Sequence, residues 1–142
     1  MVDIEALQKY SFFGGLLPDQ IGIVRGLLGF QSFDEGTEIV AEGKDNDRIY
    51  FILEGRVLVS KRDRPIAEIG EGEIFGQMEI LEVMPSTASV RALSPLKTAV
   101  LTSRSLYRLS HEDIRVFAIT MMNLARDLSR HLRRMDELMA KG

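Results

Sequence analysis

Apolar residues between Asp3 and Gly29 recur at helical spacing in two groups. Ile4 and Leu7 form the first group, and the second follows Pro18, a residue that suits the first turn of a helix. The members of the second group are Ile21, Ile23, Val24, Leu27 and Leu28. Residues 1–29 are therefore predicted to form short N-terminal helices.

From Phe30 onward the helical spacing is lost, and glycines or turn residues divide the chain into short apolar runs. These runs are EIV, RIYFIL, RVLVS, PIAEI, TASVRAL and KTAVLT. They are rich in β-branched and aromatic residues, which favour strands. Many short strands separated by turns are typical of a jelly roll or β-barrel. We therefore predict a mainly β fold with a β-roll over residues 30–102.

Helical spacing returns after Thr102, so residues 103–142 are predicted to form C-terminal helices. Ser110 and Asp113 have the spacing of a capping box, which predicts that the last, long helix begins there. One set of residues in this segment alternates three and four positions apart, as in a coiled-coil seam. The set is Ile114, Phe117, Met121, Leu124, Leu128, His131, Met135 and Leu138.

This seam predicts a homodimer that forms through the C-terminal helix. A second stripe, made of Ala118, Met122, Ala125 and Leu132, is predicted to pack on the β-roll. The alternative is a monomer in which the two stripes form one wide face toward the core.

The composition excludes several classes of partner and site. The 142 residues fit one domain with a single core, and the net charge of -3 argues against binding to nucleic acid or to an anionic membrane. The N-terminus resembles neither a secretory signal nor a membrane span, so we expect a cytoplasmic protein. The absence of cysteine excludes disulfides and thiolate metal sites.

The sequence also lacks the residue patterns of a metal-dependent or nucleophilic active site within the predicted β-roll. A metal-dependent cupin needs ligands that converge inside its barrel, but the only histidines, His111 and His131, lie in the C-terminal helical segment. The chain has no nucleophile elbow and no P-loop spacing. We therefore predict a protein that is not an enzyme and that has no metal site and no cofactor.

Four segments in order resemble the cyclic nucleotide-binding domain family. They are FFGGLLPDQ, FDEGTEIVAEGKDNDRIYFILEGRVLV, IGEGEIFGQMEIL and PSTASVRAL, and together they span nearly the whole chain. Within that family, the sequence resembles the sensor domain of bacterial catabolite-activator-like regulators without its DNA-binding domain. It implies one domain over residues 1–142, with the family's phosphate-binding cassette at residues 75–90.

A short helix that begins just after Gly76 would direct free backbone N–H groups and a positive dipole end at one point, which suits a phosphate. The family has a glutamate after the FG pair and an arginine after the proline. Gln77 and Ser86 stand at these two positions, and the two replacements cost about 2 to 4 kcal/mol of binding free energy. The predicted ligand-binding residues are Phe75, Gly76, Gln77, Met78, Glu79, Ser86, Thr87 and Ala88.

The sequence thus predicts a dimeric regulatory sensor with weak or altered binding of a cyclic nucleotide or another small anionic ligand. Two alternatives stay open. One is a non-sensing dimerisation or adaptor protein that uses the β-roll only as a scaffold. The other is the sensor fragment of a transcription regulator, because the family's regulators carry a helix-turn-helix after this helix whereas this sequence stops at Gly142.

Overall fold

The computed structural model describes residues 4–141, so residues 1–3 and Gly142, which the sequence assigns to terminal helices, lie outside the described residues. The chain divides into two compact units. The β unit covers Gly26–Tyr107, and the helical unit combines residues 4–25 with residues 108–141.

Within the described residues, the β unit contains eight strands in two antiparallel four-stranded sheets. The strands are β1 (Gly29–Phe33), β2 (Glu38–Val40), β3 (Arg48–Glu54), β4 (Val57–Lys61), β5 (Arg64–Ile69), β6 (Ile74–Phe75), β7 (Ser89–Ala92) and β8 (Leu96–Thr102). Their order is β1-β8-β3-β6 in one sheet and β2-β7-β4-β5 in the other. The predicted β-roll is confirmed, and each apolar run that the sequence identified contributes to a strand.

The two sheets enclose an apolar core between them. Its residues are Val40, Tyr50, Ile52, Val57, Ile69, Phe75, Val90, Ala92, Leu96 and Val100. Tyr50 and Phe75 stack with ring centroids 4.8 Å apart and an interplanar angle of 12°. Because Tyr50 lies on β3 and Phe75 on β6, this stack attaches the short strand β6 to the core.

The helices are α1 (Ile4–Gln8), a 3₁₀ turn (Ser11–Phe13), α2 (Pro18–Leu27), α3 (Gln77–Glu82), α4 (Ser103–Glu112) and α5 (Ile114–Lys141). No helix among residues 4–141 has the length and apolar character needed to cross a membrane. The predicted N-terminal and C-terminal helices are confirmed.

The predicted start of the last helix is wrong. Ser110 lies inside α4, and the helical conformation is interrupted at Asp113, between α4 and α5. The Asp113 carboxylate accepts a hydrogen bond from the backbone N–H of Val116 at 3.1 Å, which is how an N-cap satisfies a free donor of the first turn. The predicted capping box contained the correct N-cap, Asp113, but the prediction assigned the N-cap role to Ser110.

The prediction for the second stripe of the long helix is also wrong. Ala118, Met122, Ala125 and Leu132 are exposed, so they are not packing residues of the chain. The residues of α5 that are buried form a different stripe, made of Val116, Thr120, Asn123, Leu124 and Asp127. Three of these five side chains are polar, so a pattern of hydrophobic residues could not reveal this face.

Asn123 explains how a polar residue becomes part of a buried face. Its side-chain amide donates to the carbonyl oxygens of Phe12 at 2.8 Å and Gly14 at 2.9 Å, at the end of the 3₁₀ turn. A buried asparagine amide is tolerated when its N–H groups donate hydrogen bonds, as they do here to two backbone carbonyls. The asparagine therefore fastens α5 to the 3₁₀ turn within the helical unit.

Replacing Asn123 with alanine is expected to lower the free energy of unfolding by about 2 kcal/mol, because it removes two hydrogen bonds that each contribute about 1 kcal/mol. Urea denaturation monitored by circular dichroism measures the change. Met122→Ala is the matched control, since Met122 is the preceding residue of α5 and is exposed, and it should alter stability by less than about 0.5 kcal/mol. Equal effects of the two substitutions would contradict the anchoring role of Asn123.

Candidate functional site

The segment between β6 and β7 consists of a left-handed glycine, a short helix and a loop. Strand β6 ends at Phe75, Gly76 adopts a left-handed conformation with φ 89°, and α3 begins at Gln77. The backbone N–H groups of a helix's first turn have no partner within the helix. The helix ends after six residues at Glu82, and the next residue, Val83, is also left-handed. We refer to residues 75–90 as the cassette.

Gly76 lies where no side chain has room. A Cβ atom at this position would overlap the carbonyl oxygen of Arg48 and would lie 2.9 Å from the side-chain nitrogen of Asn46. The same Asn46 nitrogen donates to the carbonyl oxygen of Gly76 at 3.1 Å. The glycine thus permits both the left-handed turn and the close approach of the loop that precedes β3.

The predicted site residues share one segment, but their side chains do not converge. Phe75 is buried in the core against Tyr50, and Gln77 is also buried. Burial raises the pKa of the Tyr50 phenol, while the positive charge of Arg48 acts in the opposite direction, so Tyr50 stays neutral at physiological pH. Phe75 therefore anchors the start of the cassette to the core by stacking on the neutral Tyr50 ring.

Met78 and Glu79 differ in their surroundings. The Met78 side chain is exposed, whereas the Glu79 carboxylate is partly buried and accepts a hydrogen bond from Asn46 at 3.4 Å. This acid lies in the first turn of α3, where a carboxylate interacts favourably with the helix dipole. A ligand anion at the same helix end would have to approach the negative charge of Glu79.

Ser86, at the position of the family's arginine, is 5% exposed and folds back on its own chain. Its hydroxyl donates to the carbonyl oxygen of Ala88 at 2.6 Å and accepts from the Ala88 N–H at 3.3 Å. Thr87 is exposed and Ala88 is half-buried. Thr87 is consequently the one hydroxyl of this pair that faces solvent.

A shallow groove runs beside α3 and is lined by Met78, Glu79, Glu82, Met84, Pro85 and Thr87. Its two carboxylates are accompanied by no basic residue. Its volume of about 10 Å³ admits roughly one water molecule, so this open groove is not by itself a nucleotide-sized cavity. Residues 4–141 contain no cluster of histidine and carboxylate side chains that could hold a metal ion.

Sequence reasoning missed the loop that lies against the cassette, residues 41–46 between β2 and β3. Asn46 contacts the beginning of the cassette through Gly76 and Glu79. Gly43 donates its N–H to the carbonyl oxygen of Ser86 at 2.7 Å, near the cassette's end. The sequence marks this loop only as a polar stretch around a glycine, because the pairing partners lie 30 or more positions away along the chain.

Known proteins share both this sequence pattern and this fold. A family model described as the cyclic nucleotide-binding domain matches residues 30–113. A CRP-like cAMP-activated global transcriptional regulator of Mycobacterium tuberculosis is 28% identical over 98 residues, which cover 66% of this chain and 44% of the regulator. The chain spans less than half the length of the curated relatives that it matches first.

Two solved structures show the range of proteins with this fold. A cyclic nucleotide-binding domain from Methylobacillus flagellatus superimposes with a TM-score of 0.87 at 25% identity, covering 98% of this chain and 82% of that chain. The regulatory subunit of a cAMP-independent protein kinase A from Trypanosoma brucei gives 0.72 at 26% identity, covering 89% of this chain and 48% of that chain. The same fold thus occurs in a protein described as independent of cAMP.

Proposed function

This chain belongs to the cyclic nucleotide-binding domain family, and from that premise we propose that it is a regulatory sensor module with a degenerate cassette. The module binds a cyclic nucleotide, or another small anionic ligand, more weakly than a cassette with the family's glutamate and arginine. It carries out no catalysis, and two copies associate through α5.

One observation carries the proposal of weak binding. The cassette keeps the left-handed Gly76 and the short helix, but Ser86 has neither a positive charge nor a free hydroxyl, because its oxygen is committed to Ala88. A neutral hydrogen bond contributes about 1 kcal/mol, against roughly 1.5 to 3 kcal/mol for one to a charged group. A phosphate therefore finds suitable backbone geometry without the usual cation from the cassette.

Restoring the two family residues should restore affinity. The double variant Gln77→Glu with Ser86→Arg is expected to bind cyclic AMP or cyclic GMP at least tenfold more tightly than the native chain, whose dissociation constant should lie well above one micromolar. Isothermal titration calorimetry with both nucleotides measures the change.

Gln77→Glu with Thr87→Arg is the matched control. It adds the same charges but places the arginine on the exposed neighbour of Ser86, so it should gain less affinity. Micromolar binding by the native chain would refute the claim of a weakened cassette. If neither nucleotide gives saturable binding or raises the melting temperature of the native chain and of the double variant, the non-sensing adaptor is the better description.

The proposed dimer follows from the exposed face of α5. Eight apolar residues on this helix are exposed or half-buried and alternate four and three positions apart. They are Ile114, Ala118, Met121, Ala125, Leu128, Leu132, Met135 and Met139. We call this set the outer seam; its heptad spacing suits a two-stranded coiled coil along about 37 Å of helix.

The outer seam shares Ile114, Met121, Leu128 and Met135 with the seam expected from the sequence and differs in the alternate positions. At those positions the sequence favoured Phe117, Leu124, His131 and Leu138. Leu124 is completely buried within the chain, and Phe117 and His131 are partly buried. His131 lies 3.7 Å from the Asp127 carboxylate of its own helix. A second copy therefore has better access to the outer seam.

A further inference from the structure

Lys44 lies in the loop before β3, and the backbone of this loop is hydrogen-bonded to the cassette. Residues 41–44 form a turn in which the Lys44 N–H donates to the carbonyl oxygen of Ala41 at 3.0 Å. Gly43 has φ 84° at the third position of this turn, a conformation that glycine adopts without strain. The backbone direction at Lys44 is therefore set by a closed turn.

Three hydrogen bonds fasten this turn to the end of the cassette. Gly43 donates its N–H to the Ser86 carbonyl at 2.7 Å, and the Ser86 N–H donates to the Lys44 carbonyl at 2.9 Å. The N–H of Glu42 donates to the hydroxyl of Ser89 at 3.0 Å. The main chain of Lys44 is thus bonded directly to the residue that replaces the family's arginine.

The other end of the same loop is bonded to the start of the cassette. Asn46, two residues after Lys44, donates to the Gly76 carbonyl at 3.1 Å and to the Glu79 carboxylate at 3.4 Å. The loop consequently bridges the two ends of the cassette, and Lys44 lies on this bridge. Its side chain is exposed, and no carboxylate within residues 4–141 forms an ion pair with it.

We propose that Lys44 supplies from the neighbouring loop the positive charge that the cassette itself lacks, and so determines whether an anionic ligand binds. This inference rests on the proposed sensor function. A lysine ammonium on its flexible four-carbon stem contacts a phosphate as a point charge rather than through the two-pronged geometry of arginine. It would also offset the negative charge of Glu79 at the same site. Weak binding with a strong dependence on salt follows from this arrangement.

Charge removal at Lys44 tests the proposal with cyclic AMP as the probe. Lys44→Gln is expected to raise the dissociation constant for cyclic AMP about tenfold, whereas Lys44→Arg should keep it within about threefold of the native value. Adenosine, which has no phosphate, should bind Lys44→Gln and the native chain equally. Lys97→Gln is the matched control because it removes one exposed lysine charge from β8, where Lys97 pairs with Glu54.

A second comparison uses the Ser86→Arg background. Once the cassette has its own cation, Lys44→Gln should cost less than threefold in cyclic AMP affinity, because the two charges are then redundant. If the native chain and Lys44→Gln bind cyclic AMP with equal affinity, the role of Lys44 is overturned and the sensor function is left intact. A native chain and a double variant, Gln77→Glu with Ser86→Arg, that both fail to bind cyclic AMP or cyclic GMP overturn both proposals.

Discussion

Replacing Gly76 with alanine is expected to lower the free energy of unfolding by about 3 to 4 kcal/mol. Two costs add at this residue. A non-glycine residue in the left-handed region costs roughly 1 to 2 kcal/mol, and overpacking costs roughly 1 to 3 kcal/mol more. The second cost arises because the new Cβ would overlap the carbonyl oxygen of Arg48, a backbone atom that cannot rotate away as a side chain could.

The control for Gly76 is Gly43→Ala. Gly43 has nearly the same conformation, with φ 84° against 89° at Gly76, but a Cβ there would meet nothing within 4 Å. It should therefore show only the conformational cost, about 1 to 2 kcal/mol. Urea denaturation of both variants at one protein concentration gives the difference, which isolates the steric cost at Gly76. Similar losses of stability in Gly76→Ala and Gly43→Ala would mean that the cassette can move away from Arg48 of β3 at little cost and would contradict the steric argument.

The sequence predicts the β unit well because its strands are short, apolar and separated by turns. It fails at two strands, one that has few apolar residues and one that is very short. Strand β1 has the sequence GFQSF, with a glycine and two polar residues among five, and β6 has only two residues. The pairing of β1 with β8 and of β6 with β3 creates these strands. Such long-range pairing leaves no periodic signal in the sequence.

The candidate site shows a similar division. The sequence identifies the glycine, the short helix and the missing charges at Gln77 and Ser86, since each is a property of one position. It does not reveal that Ser86 is bonded to Ala88, or that Asn46 and Gly43 hold the two ends of the cassette. These contacts depend on which loops the folded sheets bring together.

The register of α5 is a further limit of hydrophobic patterns. Two overlapping heptad sets share half of their residues, so apolar content alone does not choose between them. The choice comes from the buried polar residues Thr120, Asn123 and Asp127, which direct one face of the helix toward its own chain. The outer seam is the apolar face that remains.

Leu132→Glu is expected to raise the dissociation constant of the dimer at least about 100-fold. Leu132 is 64% exposed in the single chain and lies in the outer seam. In a parallel pair of helices about a twofold axis, the Leu132 side chains of the two protomers would therefore face each other. The substitution removes two apolar side chains from the interface and replaces them with two carboxylates that must be desolvated near each other. Sedimentation equilibrium over a range of protein concentrations measures the dissociation constant.

The matched control is Leu138→Glu, the same substitution at a leucine that is 60% exposed on the same helix. Leu138 belongs to the seam expected from the sequence and not to the outer seam, so its replacement should change the dissociation constant less than about fivefold. Both variants should retain the native melting behaviour at low concentration, because neither side chain is buried in the single chain. A dimer that is broken by Leu138→Glu but survives Leu132→Glu would establish the register with Leu124 and His131, which would require α5 to turn these residues outward. A dimer that survives both substitutions would show that α5 is not the interface.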